Sequence, residues 1–231
     1  MDILEFKDAL LDLGIEVTPI ALERLDKYYE LLIEWNEKIN LTAITLKKQV
    51  YLKHFYDSLT LVKCLNLNSD ISLCDLGTGA GFPGVVLKIF FPDLKLTLVD
   101  ALNKRIKFLS DVVSKLGLKD VCLVHARAEE FALKNRDCFD VVTARAVASL
   151  PILLEYSLPM VKLHGYFIAM KGDKEEDAFN ALSILGGEIV QTEKFILPYE
   201  ESKRMIIKVK KIKNTPTKYP RKFSEIKKKP L

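Results

Sequence analysis

Leu73-Cys74-Asp75-Leu76-Gly77-Thr78-Gly79-Ala80-Gly81-Phe82-Pro83-Gly84 says more about architecture than any other part of this 231-residue chain. The apolar run from Ile71 to Leu76 reads as a buried parallel strand. Glycines at 77, 79 and 81 follow, then Pro83 and the apolar-periodic segment Val85 to Phe90. Glycine admits φ > 0 and lets a ligand approach the backbone closely. Proline suits the first position of a helix, where its missing N–H costs nothing. Strand, glycine turn and helix in that order predict a nucleotide-type ligand site at the carboxyl end of a strand.

The dinucleotide fingerprint G-x-G-x-x-G needs a third glycine where this chain has Phe82, so it fails there. Asp75 stands two places before the first glycine, where its carboxylate would repel a diphosphate and suit an ammonium or sulfonium. S-adenosylmethionine carries both, and the pattern resembles the first motif of Rossmann-like methyltransferases. The next strand, Leu94 to Val99, ends at Asp100, about 20 residues beyond the glycines, where an acid hydrogen-bonds a ribose hydroxyl. Asp100 supports a nucleoside ligand without choosing between NAD and S-adenosylmethionine.

From Ser69 onward strands and helices alternate, which predicts a doubly wound sheet. A helix is expected from about Asn103 to Lys115, with Lys104 and Arg105 in its first turns near the site mouth. Cations oppose the dipole there, so RNA phosphates or a solvated face must account for them. The third strand, Val121 to Val124, leads to a turn in which Ala128 can let a base lie flat and Glu129 can read an adenine edge. The fourth, Phe139 to Thr143, delivers Arg145 to the crevice, where its guanidinium can pair with a phosphate but not act as a base. Lys171 ends the fifth strand, and an acidic helix is expected from Asp173 to about Leu185. Two strands, Glu188 to Leu197 and Lys203 to Lys211, close the sheet.

Residues 1–66 read as a helical cap. Ile3, Phe6, Leu10 and Leu13 recur at helical spacing, and Thr18-Pro19 opens a longer helix. A third is expected through Val50, His54, Ser58, Leu61 and Val62. His54 is open to two roles, contact with RNA or substrate, or a local bond that caps an element or reaches Asp57. Residues 67–213 form the catalytic domain and 214–231 a basic tail.

The composition, 49% apolar and 29% charged, fits a globular protein. No run of about 18 apolar residues is present, which argues against a membrane span, and the N-terminus lacks signal-peptide features. The scattered cysteines have no metal-ligand spacing, so no metal is expected, and reduced thiols in the cytoplasm are the plain reading. Cys74 and Cys122, in apolar runs, are expected to be buried. Charge is asymmetric: residues 203–231 carry twelve Lys or Arg against one acid, Glu225, a net +11 that against +4 overall leaves −7 elsewhere. Aromatics interleaved with Arg221, Lys222 and the final lysines suit phosphate contact and base stacking.

Together, Trp35-Asn36 with Asn40-Leu41-Thr42, Lys53-His54 with Asp57-Ser58-Leu59, the Asp75–Gly84 motif, Arg127-Ala128-Glu129-Glu130, Arg145-Ala146 and the ending Pro230-Leu231 carry a close resemblance. The chain is similar to the bacterial ribosomal RNA small-subunit methyltransferase G family, also called glucose-inhibited division protein B. The resemblance implies a Rossmann-like α/β fold with a seven-stranded, mostly parallel sheet and an antiparallel last strand. It also implies S-adenosylmethionine-dependent methylation of guanine N7 in 16S ribosomal RNA, on RNA or a small-subunit precursor, by a cytoplasmic monomer. Implied cofactor contacts are Gly77, Phe82, Ala128, Glu129 and Arg145; the residues themselves add Gly79 and Asp100. Candidate RNA contacts are Lys104, Arg105, Lys171, Arg221 and Lys222. A small-molecule methyltransferase, a non-catalytic RNA-binding module and an NAD-dependent oxidoreductase are the rival readings.

Overall fold

The protein is described here by a computed structural model covering residues 1–68 and 70–231; Ser69, where the alternation was expected to start, lies outside the described residues. Strands β1 (Ser72–Leu76), β2 (Lys95–Asp100), β3 (Val121–His125), β4 (Phe139–Arg145), β5 (Val161–Lys171), β6 (Gly187–Ile196) and β7 (Lys203–Lys211) form one sheet. Its order is β3-β2-β1-β4-β5-β7-β6. The first five strands are parallel, and β7 runs antiparallel between β5 and β6. Strand order therefore reverses beside β1, and a ligand crevice is expected at the carboxyl ends there.

Alternation along the strands feeds two cores. Leu73, Leu96, Leu98 and Val141 face one layer; Cys74, Val99, Val142 and Ala144 face the other. The first layer holds α5 (Gly84–Phe90) and α6 (Asn103–Lys115), and the N-terminal helices α1 (Ile3–Asp12) and α2 (Pro19–Ile39) pack into the same cluster. Thr18 caps α2, its Oγ1 accepting from Ala21 N–H at 3.1 Å, and Asn40 ends it in the left-handed region. Tyr28 and Phe55 are fully buried in this layer, each stabilising the fold by roughly 1.5–3 kcal/mol. The second layer holds α7 (Ala128–Lys134), α8 (Leu150–Ser157) and α9 (Phe179–Leu185).

Four local expectations are corrected. The third cap helix is not continuous: α3 (Lys47–Val50) passes into a π-helical turn over Tyr51–Tyr56, then α4 (Asp57–Leu59) and a 3-10 turn over Thr60–Lys63. Such a turn rotates the register, burying Tyr51, Leu52 and Phe55 while turning His54 toward the sheet's carboxyl edge. Pro83 precedes α5 as its cap rather than opening it, and Gly84 N–H, one of the first turn's free donors, is taken by Asp75 Oδ2 at 2.9 Å. The acidic helix begins only at Phe179. Asp173, Glu175 and Glu176 are drawn to Lys203, Lys194 and Lys171 instead of forming a helical turn. Cys122 is exposed, since β3 is an edge strand.

The C-terminal segment is no free tail. Tyr219 and Ile226 are buried in the second core, Arg136 donates to Tyr219 O and Thr215 O at 2.6 Å, and α10 (Phe223–Lys228) lies against the domain. No helix among the described residues is long and apolar enough to cross a membrane.

Candidate active site

The glycine turn is tied to the end of β2. Gly77 N–H donates to Val99 O at 2.8 Å, and Gly79 N–H to Asp100 Oδ2 at 2.9 Å. Gly81 has φ +94°, and a Cβ there would lie 2.6 Å from the Tyr28 hydroxyl and from Val85. Only glycine permits that approach, and Tyr28 uses it to donate to Ala80 O, locking α2 onto the turn. Asp75 is fully buried; its Oδ2 accepts from Thr78 Oγ1 at 2.7 Å and from Gly84 N–H, while Oδ1 has no hydrogen-bond partner among the described residues. Burial pushes its carboxyl up to about 6, against the lowering bonds from Thr78 and Gly84. Asp75 thus shapes the turn from inside, a role the sequence reading had assigned to direct ligand contact.

Two clefts open at the carboxyl ends of the strands. The smaller, about 330 Å³, is lined by Gly77, Asp100, Arg105, Ala128, Glu129 and Phe223, among others. Asp100 ends β2 nearly buried and also accepts from Leu102 N–H at 2.9 Å and Arg105 Nη1 at 3.2 Å. Arg105, expected on phosphate, is therefore inside this cleft on a carboxylate. Ala128 and Glu129 open α7, with the Glu129 side chain turned into the cleft and buried.

The larger cleft, about 550 Å³, lies over β4, β5 and β7 and meets the smaller at Ala146, whose φ is +55°. Arg145 belongs to this larger cleft and not to the smaller one. Its Nη1 donates to Asp57 Oδ2 and to Lys53 O, each at 3.0 Å, and its guanidinium lies 5.2 Å over the Phe82 ring. Arg204, from β7, donates to the other Asp57 oxygen at 3.2 Å. His54 stacks on Phe82 at 4.5 Å and sits 2.9 Å from Thr42 Oγ1 and 3.3 Å from Arg145 Nη2. Nδ1 thus lies between Arg145 Nη2, a donor, and Lys53 O, an acceptor at 3.2 Å, while Nε2 faces the Thr42 hydroxyl. Burial first, then the Arg145 charge, hold the imidazole down at about 3.

A profile of the family described as "GidB: rRNA small subunit methyltransferase G" matches residues 21–197. The ribosomal RNA small subunit methyltransferase G of Geobacillus sp. (strain WCH70) is 51% identical over 100% of both chains. That of Bacillus subtilis (strain 168) is 48% identical over 100% of this chain and 99% of its own. The chain belongs to this methyltransferase G family. The fold is also that of a SAM-dependent methyltransferase from Aquifex aeolicus, at 18% identity and TM-score 0.54 over 72% of this chain and 94% of that one. M. jannaschii TYW2 in complex with AdoMet aligns at 14% identity and TM-score 0.51 over 62% of this chain and 69% of that one.

Within this methyltransferase the remaining expected contacts separate by position. The Phe82 ring is packed between His54, Tyr28 and Phe55, supporting Arg145 rather than lining the smaller cleft. Lys171 donates to Ala148 O at 2.8 Å and pairs with Glu176 at 2.9 Å, and Glu176 in turn accepts from Leu150 N–H at the start of α8. These bonds pin the segment that follows Arg145. Arg221 grips the fully buried Glu155 through two bonds at 2.8 and 2.6 Å. Lys104 is exposed yet donates to Ile39 O at 3.2 Å, and Lys222 is exposed beside α10. Arg204 and Glu176 are not singled out by the sequence, which offers Asp57 only as a partner for His54; no local spacing marks a pair such as Arg204 and Asp57, 147 positions apart.

Proposed function

We propose that this methyltransferase transfers the methyl group of S-adenosylmethionine to N7 of a guanine in 16S ribosomal RNA, by direct displacement without a general base. When bound, S-adenosylmethionine supplies a methyl group on an electron-poor sulfonium sulfur. The donor set of the smaller cleft fits that molecule. Asp100 suits the ribose hydroxyls, Ala128 and Glu129 suit the adenine, and a Cβ at Gly79 would meet nothing within 4 Å, leaving the crest of the turn open.

The observation that carries the N7 reading is the state of the larger cleft. Its one imidazole, His54, has lost its basicity, and Asp57 is committed to Arg145 and Arg204. Glu176 is paired with Lys171 and held below the usual carboxylate range despite its burial. An acceptor that must first lose a proton is poorly served by such groups. Guanine N7 has an in-plane lone pair and needs no deprotonation. Two guanidinium groups around one carboxylate leave a net positive charge that suits a phosphodiester, so Arg145 and Arg204 orient the guanosine. Alignment and preorganised electrostatics then supply the rate.

The family points to 16S RNA or a small-subunit precursor as substrate, with the protein acting as a cytoplasmic monomer. Exposed Lys222, Lys227, Lys228 and Lys229 add a cationic face. The test is mass spectrometry of 16S RNA from cells lacking the protein: loss of one 7-methylguanosine, restored by the wild-type chain, is expected. An unchanged 7-methylguanosine content, or a methyl lost from another atom, overturns the reading.

A further inference from the structure

We infer that the C-terminal segment is a wall of the cofactor cleft, with the Phe223 ring stacking on the adenine of S-adenosylmethionine; this rests on the smaller cleft being the cofactor site. The basic composition of residues 203–231 points outward to RNA, but the contacts point inward. Tyr219 is buried, Arg221 N–H and guanidinium both bind the buried Glu155, and Ile226 is fully buried. These anchors bracket Phe223 from both sides along the chain. Phe223 between them is 42% exposed, and it lines the smaller cleft together with the residues that begin α7.

A large aromatic side chain held half in water at a cleft mouth loses apolar contact unless something covers it. Its one cationic neighbour on the cleft side, Arg127, lies 5.1 Å over the ring, and Lys227 lies 6.0 Å away on its own helix. Arg127 immediately precedes Ala128, so the stack of guanidinium and ring stands at the end of the cleft assigned to the base. Ala128, a small residue, and Phe223, an apolar ring, both line that space. A purine fits such a slot by stacking, with Glu129 available to its edge. The geometry makes cofactor retention depend on an element the fold adds after its last strand.

The experiment is calorimetric titration of the full chain with S-adenosylhomocysteine and with 5′-methylthioadenosine, without RNA. Phe223→Ala should weaken both about tenfold, Phe223→Trp should restore binding, and the melting curve without ligand should not move. Equal affinity of Phe223→Ala and wild type overturns the stacking, as does a loss confined to S-adenosylhomocysteine, whose amino-acid end methylthioadenosine lacks. Asp100→Ala separates the two levels: if it weakens binding while Phe223→Ala binds as wild type does, the cleft stands and the wall falls. If wild type binds neither ligand, or Asp100→Ala binds as wild type does, the cofactor assignment of the cleft falls with it.

Discussion

The two clefts of this methyltransferase share an edge at Ala146 but are made in opposite ways. The smaller is built mainly on backbone at the ends of adjacent strands, with Gly79 bonded to Asp100, 21 positions away, and Phe223 added from the C-terminal segment. The larger is held by charged side chains from distant elements: Arg145 reaches Asp57 across 88 positions and Arg204 reaches it across 147. Backbone donors on a glycine turn come preorganised with the strand. A carboxylate between two arginines exists only once cap, central strand and closing hairpin have met. The first arrangement suits tight holding of one unchanging small molecule, the second the orientation of a large polyanion.

The contrast predicts a clean separation of phenotypes, and the largest effect belongs to the larger cleft. Arg145→Ala should lower kcat for methyl transfer by about 10²–10³-fold, with S-adenosylhomocysteine affinity within about threefold of wild type. Comparable losses of both in single-turnover and titration assays would erase the distinction between the clefts.

A second effect of about 3 kcal/mol concerns the turn itself. The Asp75 carboxyl is raised from its ordinary 3.8 to about 6, so between these pH values the folded protein keeps a proton the unfolded chain has released. The stability tied to Asp75 is therefore present below about pH 4 and lost as pH rises through 6. Denaturant unfolding of wild type and Asp75→Asn should show their difference moving in the variant's favour across that window, because the amide does not titrate. A flat difference would mean that the turn tolerates the buried charge.

Asp100→Ala comes next, weakening S-adenosylhomocysteine by roughly ten- to thirtyfold through loss of a charged acceptor. Its Gly79 and Arg105 partners are left without it, while kcat at saturating cofactor should change little. The smallest effect is Tyr28→Phe. Removing the hydroxyl that binds Ala80 O should cost about 1–2 kcal/mol of stability in chemical denaturation. A change in cofactor affinity as large as that of Asp100→Ala would show that the cap tunes the turn as well as supporting it.

Legibility follows the same division. Gly77, Gly79, Asp100, Ala128 and Glu129 were readable because one strand-turn-helix unit constrains its residues locally, and the cleft gathers most of them. Arg145 was readable as the end of a strand, but its cleft was not, since Asp57 and Arg204 come from the cap and from β7. The partners of the cationic residues were the least legible. Lysine and arginine counts report charge, whereas Arg105, Lys171 and Arg221 each have a carboxylate partner: Asp100 and Glu176 nearby in sequence, and Glu155, 66 positions away, which only folding brings near.

By itself the sequence determined the sheet, the glycine turn and the methyltransferase family, because hydrophobic period, glycine spacing and capping act over a few residues. Tertiary structure decided the rest: that His54 is a neutral ring stacked on Phe82, that Asp75 is an internal brace, and that the basic ending folds back on the domain. Desolvation and charge pairing set those outcomes, and both depend on which distant side chains become neighbours.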